Sequence, residues 1–159
     1  MIFVTVVAQM PFDRMVKAVD EWAAARGRGD VFAQIGPADY EPRHVPWTRF
    51  LEPDDFLERY RAARVIVAHA GTGSILQALE LGKPILVMPR RAALRETRND
   101  HQVATAERFQ ALGRIPVAWD AADLAEALDR VDELSSERTV GPHASAQLVS
   151  RIRRFLDER

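Results

Sequence analysis

The sequence predicts a single α/β domain with a Rossmann-like, doubly wound and mainly parallel sheet. Short apolar, β-branched runs recur at Ile2 to Ala8, Val31 to Ile35, Val65 to Ala68 and Ile85 to Met88, as expected of strands covered on both faces. Between them lie stretches with a 3.6-residue apolar period, such as Phe12, Met15, Val16, Val19, Trp22 and Ala23. Strand-like and helix-like segments that alternate in this way need crossover connections, and crossovers produce parallel pairing. The 159 residues contain no internal repeat, low-complexity tract or linker, so one domain over residues 1–159 is expected.

In chain order, the first strand is followed by a helix starting at Pro11 and Phe12 and ending at the Arg26–Asp30 segment. Val31 to Ile35 is the second strand, closed by Gly36 and Pro37. A proline-rich inserted loop, 37–46, leads to a third strand at Val45 to Leu51, and Pro53 and Asp54 start a helix through Phe56, Leu57 and Tyr60. The stretch from Arg64 to Pro89 then reads as strand, glycine loop, helix, turn and strand. Ser74 is its expected helix cap and Gly82 its stop. A charged loop from Arg90 to Arg98 precedes a helix at about Asp100 to Leu112, stopped by Gly113. Ile115 to Trp119 is the expected last strand, and either Asp120 or Asp123 caps a helix with Leu124, Leu128 and Val131. From Pro142 onward, Ala144, Leu148, Ile152 and Phe155 mark one face of a final helix.

Composition narrows the function. The apolar fraction is 47% and the charged fraction 28%, ordinary for a globular protein. A net charge of −1 gives nucleic-acid binding no electrostatic support. No cysteine is present, which excludes disulfides, thiolate metal sites and cysteine nucleophiles. The apolar start lacks a basic leader and is too short to span a membrane, so a cytoplasmic protein is expected.

The chemistry concentrates at a few loops. Gly71, Thr72, Gly73 and Ser74 lie between a buried strand and a helix N-terminus, where free amides and the helix dipole favour an anion. An ordinary turn needing small residues has the same pattern. The loop is neither GxGxxG nor GxxxxGK[ST], which disfavours a dinucleotide site and a P-loop. His69, just before the loop, suits either donation to a phosphate or a structural role at the sheet end. Asn99, Asp100, His101 and Gln102 open a helix, either as cap and solvated turn or as groups hydrogen-bonding sugar hydroxyls. Arg90, Arg91, Arg95 and Arg98 form a solvated loop or neutralise a diphosphate or an acidic sugar, and Arg90 is the best placed. His44, His69, His101 and His143 lack metal-ligand spacing, and there is no GxSxG elbow. Neither a metal nor a cofactor is expected.

The segments TVVAQMPFDRMVKAVDE (5–21), FAQIGPADYEP (32–42), VIVAHAGTGSILQALELGKPILVMPR (65–90) and NDHQ (99–102) together resemble the C-terminal, donor-binding half of family 28 glycosyltransferases of the GT-B architecture. The likeness covers nearly the whole chain. It is strongest to small single-domain members: bacterial exopolysaccharide glycosyltransferase subunits, and the catalytic subunit of the eukaryotic two-component enzyme that adds the second N-acetylglucosamine to dolichol-linked sugar.

The resemblance implies a UDP-sugar substrate. His69 to Ser74 would hold the diphosphate, and Gln77 stands where many relatives place a ribose-binding glutamate. Asp100, His101 and Gln102 would contact the donor sugar. The backbone around Phe50 and Leu51 would edge the uracil, and Gln34 with Gly36 would line the same cleft. Val7 and Ala8 replace a Gly-Thr pair usual in relatives. GT-B enzymes close two such domains around donor and acceptor. A separate membrane-associated partner would therefore supply the lipid-linked acceptor side and the general base, for which no residue here is assignable, and would recruit this chain to the inner membrane face. Homo-oligomerisation is a further candidate, and the C-terminal helix is a candidate docking surface. The expected activity is inverting, metal-independent hexosyl transfer in polysaccharide or glycan assembly. Two alternatives stand beside it: a non-catalytic stabilising subunit that has lost donor use, motivated by Val7, Ala8 and Gln77, and a different α/β nucleotide-binding module.

Overall fold

The computed structural model describes residues 1–6, 10–113 and 115–134. Five strands, β1 (Ile2–Thr5), β2 (Val31–Gln34), β3 (Trp47–Thr48), β4 (Val65–His69) and β5 (Ile85–Met88), form one sheet in the order β3-β2-β1-β4-β5. Every pairing is parallel. The helices are α1 (Asp13–Arg26), α2 (Pro53–Ala62), α3 (Thr72–Glu80), α4 (His101–Ala111) and α5 (Ala121–Asp129), with short 3₁₀ turns at Ala92–Leu94 and Val131–Glu133.

Alternation along each strand divides the core in two, as a doubly wound sheet requires. Ile2, Val4, Val65, Val67, Leu86 and Met88 pack with Met15, Val16, Val19 and Trp22 of α1 and with Leu124 and Leu128 of α5. Phe3, Ile66, Ala68, Ile85 and Val87 pack with Tyr60 of α2, Ile75, Ala78 and Leu79 of α3 and Ala106 of α4. Phe3 is fully buried, edge-on to Phe56 and Tyr60 at 5.6 and 6.2 Å between centroids. The Tyr60 hydroxyl donates to Ser74 O at 3.0 Å, which ties α2 to the start of α3. Burial pushes the Tyr60 phenol well above its ordinary pKa.

Three elements differ from expectation. The third strand is only Trp47–Thr48, because Pro46 has no N–H for a longer ladder and Thr48 turns its hydroxyl onto Phe50 O. The expected strand at Ile115 to Trp119 is a single bridge between Val117 and Val87, beside Pro116, whose carbonyl accepts from Val87 N–H. Helix α3 begins at Thr72 with Gly71 as its N-cap, so Ser74 lies inside the first turn and is not the cap. Gly82 does close α3: its φ of +61° lets Lys83 N–H reach Ala78 O at 2.8 Å. Val7, Ala8 and the expected C-terminal helix lie outside the described residues.

The open choice for the α5 cap falls to Asp120, whose carboxylate accepts from Asp123 N–H at 2.9 Å, while Asp123 accepts from Trp119 N–H at 3.1 Å. Asp120→Ala is expected to cost about 1 kcal/mol of stability, typical of a lost N-cap, read from urea denaturation.

Candidate functional site

All five strands point their carboxyl ends the same way, and the sheet order reverses between β1 and β4. Crevices outside the strand ends at such a reversal are the usual ligand sites of open α/β sheets. The sequence-expected residues fall along this edge in strand order. Phe50 and Leu51 follow β3, Gln34 ends β2 with Gly36 just beyond, His69 ends β4 before Gly71 to Ser74, and Arg90 with Asn99 to Gln102 follows β5. Phe50 is exposed and Leu51 half-buried. Gln34 and Thr5, paired across β2 and β1, are both buried, and their Oε1 and Oγ1 have no partner among the described residues.

The glycine loop has a specific internal geometry. Gly71 N–H donates to His69 Nδ1 at 2.9 Å, so this ring nitrogen acts as an acceptor. A Cβ on Gly71 would lie 2.6 Å from His69 Nδ1 and closer still to Cε1, so this position admits only glycine while the ring keeps its pose. The first intrahelical bond of α3 runs from Ile75 N–H to Gly71 O at 3.1 Å. The amides of Thr72, Gly73 and Ser74 therefore have no intrahelical acceptor and sit at the positive end of the helix dipole. Thr72 and Gly73 are exposed, and Gln77, one turn further on, is half-buried.

Beyond β5 an open cleft of about 480 Å³ is lined by Met10, Arg90, Glu96, Thr97, Arg98, Asn99, His101 and Gln102. It brings together five of the expected residues: Arg90, Arg98, Asn99, His101 and Gln102. Asp100 stands apart from its lining and accepts from Ala92 N–H at 2.9 Å, while Asn99 Oδ1 accepts from His101 N–H at 3.2 Å. Gln102 is buried, with Oε1 accepting from Arg90 N–H at 3.2 Å.

Arg90 differs from the expectation of a side chain facing a diphosphate. It is 2% exposed. Its Nη1 donates to the carbonyls of Met10, Pro11 and Glu96 at 2.8, 2.9 and 3.0 Å. The guanidinium stacks on Phe12, 4.9 Å from the ring centroid. Burial pushes its pKa down, opposed by the Glu96 charge. The apolar residue Phe12, one turn before Val16, gives the cation a face to lie on, and nothing in the local sequence announces this. Met10, Glu96 and Thr97 also escaped the sequence reading, because their place in the cleft depends on contacts far along the chain. Among the described residues, no group of three or more His, Asp or Glu side chains is placed to hold a metal ion, and no helix is long and apolar enough to cross a membrane.

A parallel sheet ordered 3-2-1-4-5, with a glycine loop beside its switch point, is a Rossmann-like domain. The chain belongs to the glycosyltransferase family 28 C-terminal domain family, which matches residues 1–152. A UDP-N-acetylglucosamine transferase subunit ALG13 from Eremothecium gossypii is 42% identical over 82 residues, 51% of this chain and 36% of that protein. The match thus spans just over a third of that relative's length. Among solved structures, the NMR structure of ALG13 superposes with a TM-score of 0.62 at 19% identity, over 89% of this chain and 90% of that one. Acinetobacter baumannii MurG gives 0.58 at 17% identity, over 96% and 49%. At these identities the structural likenesses establish the fold alone.

Proposed function

We propose that this chain is the donor-binding subunit of a glycosyltransferase that uses a UDP-sugar. One observation carries the reading: groups suited to a base, a diphosphate and a sugar follow β3, β4 and β5 along one carboxyl edge. In this reading the Phe50–Leu51 backbone after β3 takes the base, the Thr72–Ser74 amides after β4 the diphosphate, Gln77 one turn further along α3 the ribose, and Asn99, His101 and Gln102 after β5 the sugar. Family membership and the name of the Eremothecium gossypii relative support it. That name makes UDP-N-acetylglucosamine the first donor to test. An exopolysaccharide setting, expected from sequence, finds no support in that relative.

The chemistry assigned to this half is electrostatic. As the sugar–phosphate bond breaks, negative charge builds on the departing UDP, and preorganised amides at a helix N-terminus stabilise it without a metal. Arg90, turned inward, shapes the cleft wall instead of neutralising phosphate. A separate membrane-associated partner supplies the lipid-linked acceptor and the base, transfer inverts the anomeric centre, and the chain acts on the cytoplasmic side.

Isothermal titration with UDP and UDP-N-acetylglucosamine tests this, with binding of both expected and binding of neither contradicting it. A second reading, a stabilising subunit without donor use, is favoured by Gln77, which cannot offer the charged acceptor of a glutamate. Gln77→Glu is expected to tighten UDP binding about tenfold, as a charge-assisted bond to a ribose hydroxyl replaces a neutral one. Measurable binding only in Gln77→Glu would identify the wild-type chain as the degenerate subunit.

A further inference from the structure

We propose that Glu96 is the positioning residue of the sugar end of the cleft, acting through a clasp with Arg14 of α1, a role that rests on the nucleotide-sugar reading of the site. Residues 89–100 carry most of the cleft lining and, apart from the short turn at Ala92–Leu94, have no regular structure to hold their shape. The clasp does that. Arg14 Nε and Nη2 donate to the two carboxylate oxygens of Glu96 at 2.7 and 2.9 Å, a bidentate pair with little solvent access. Glu96 Oε2 also accepts from Arg91 N–H at 2.9 Å, so the carboxylate folds the loop back on itself through Arg95, held at φ +57°.

Both partners reach further. Arg14 donates to Pro89 O at 3.0 Å and Trp119 O at 3.2 Å, which fixes the end of β5 and the segment entering α5. The Glu96 carbonyl shares Arg90 Nη1 with the carbonyls of Met10 and Pro11. Met10, from the segment before α1, lies on one wall of the cleft, and Thr97, Arg98, Asn99, His101 and Gln102 form the other. Glu96 is therefore tied by its side chain to α1 and by its backbone, through Arg90, to the segment before α1. With the clasp cut, the two walls lose their common anchor, while β4, the glycine loop and α3 keep their own contacts. The consequence is selective: recognition of the sugar suffers and recognition of UDP does not.

The test is titration of the full chain with UDP and with UDP-N-acetylglucosamine, comparing the affinity ratio of the two ligands. Glu96→Gln retains the shape but loses the charge, Arg14→Met cuts the clasp from the other side, and the double variant reports their coupling. Asp20→Asn, which loosens α1 elsewhere, is the stability control. The expected result is that both clasp variants cut the advantage of UDP-N-acetylglucosamine over UDP about tenfold, roughly one well-made hydrogen bond. UDP affinity should stay within about twofold. The double variant should be no worse than either single one, and Asp20→Asn should lower Tm with the ratio unchanged. A ratio unchanged in the clasp variants, a parallel loss for both ligands, an equal change in Asp20→Asn, or a wild type that binds UDP with no gain from the sugar would each overturn the role of Glu96. A wild type that binds neither ligand would instead overturn the nucleotide-sugar reading, and the role of Glu96 with it.

Discussion

Gly71→Ala is expected to give a folded protein that has lost most of its affinity for UDP. The added Cβ would stand 2.6 Å from His69 Nδ1, well inside contact distance. The obstacle is an imidazole, which can rotate away, so the backbone of β4 and α3 need not move. The core behind the loop, Ala68, Ile75 and Ala78, is fully buried and is untouched by the substitution. Rotation of the ring breaks the bond from Gly71 N–H to His69 Nδ1 that shapes the loop. It also puts a methyl group beside the amides of Thr72 and Gly73. Hydrogen bonds to charged groups are worth roughly 1.5–3 kcal/mol, so one lost phosphate contact weakens UDP on the order of 10- to 100-fold. Titration calorimetry together with thermal denaturation reads both halves. Wild-type UDP affinity in Gly71→Ala would contradict the assigned role of the loop.

The second large effect falls on stability. Asp20 lies on the buried face of α1 and is fully inaccessible. Its carboxylate accepts from the Tyr40 hydroxyl at 2.8 Å and from the amides of Arg43, His44 and Val45 at 2.9, 2.8 and 3.0 Å. It thus pins the proline-rich loop between β2 and β3, and through it the approach to Phe50 and Leu51. Asp20→Ala leaves these donors without an acceptor. Arg43 and His44 are exposed enough to recover water, but Val45 is buried, so the expected loss is about 3–4 kcal/mol. That lowers Tm by roughly 10 °C.

The same group sets a pH dependence. Burial would raise the Asp20 pKa, but the bonds from Arg43, Tyr40, His44 and Val45 together outweigh it and hold the carboxyl below its ordinary value. A folded-state pKa below the unfolded one means the contribution is fully present above the unfolded value of about 3.9 and is lost as pH falls through the folded one. Asp20→Asn should accordingly show a smaller loss of stability between pH 5 and pH 3 than the wild type, measured by urea denaturation. An acid limb as steep as that of the wild type would show that other carboxylates set it.

Much of this architecture was legible because it is local. The run Val65–Ala68, the glycines at 71, 73 and 82 and the proline at 84 announce strand, turn, helix and strand within 26 residues, and the boundaries fall close to where those signals stand. Asp20 left a trace too: a carboxylate one turn from both Val16 and Ala23, on the apolar stripe of α1, needs partners in the core. The clasp left none. Arg14 and Glu96 are 82 positions apart, and neither differs in local pattern from a solvated charge. The inward turn of Arg90 has the same cause, since its acceptors at Met10 and Pro11 are 80 and 79 residues away. The shortness of β3 was readable from Pro46 but was masked by the β-prone residues Val45, Trp47 and Thr48 around it.

The most direct test of the central claim is a titration of ¹⁵N-labelled protein with UDP-N-acetylglucosamine, followed amide by amide. A nucleotide sugar lying along the carboxyl edge should perturb Phe50 and Leu51, Thr72 to Ser74, and Asn99 to Gln102 together, with one shared dissociation constant. UDP alone should shift the first two groups and leave Asn99 to Gln102 largely unmoved. Saturating ligand that leaves the Thr72–Ser74 amides in place, or perturbs only residues away from this edge, would contradict it.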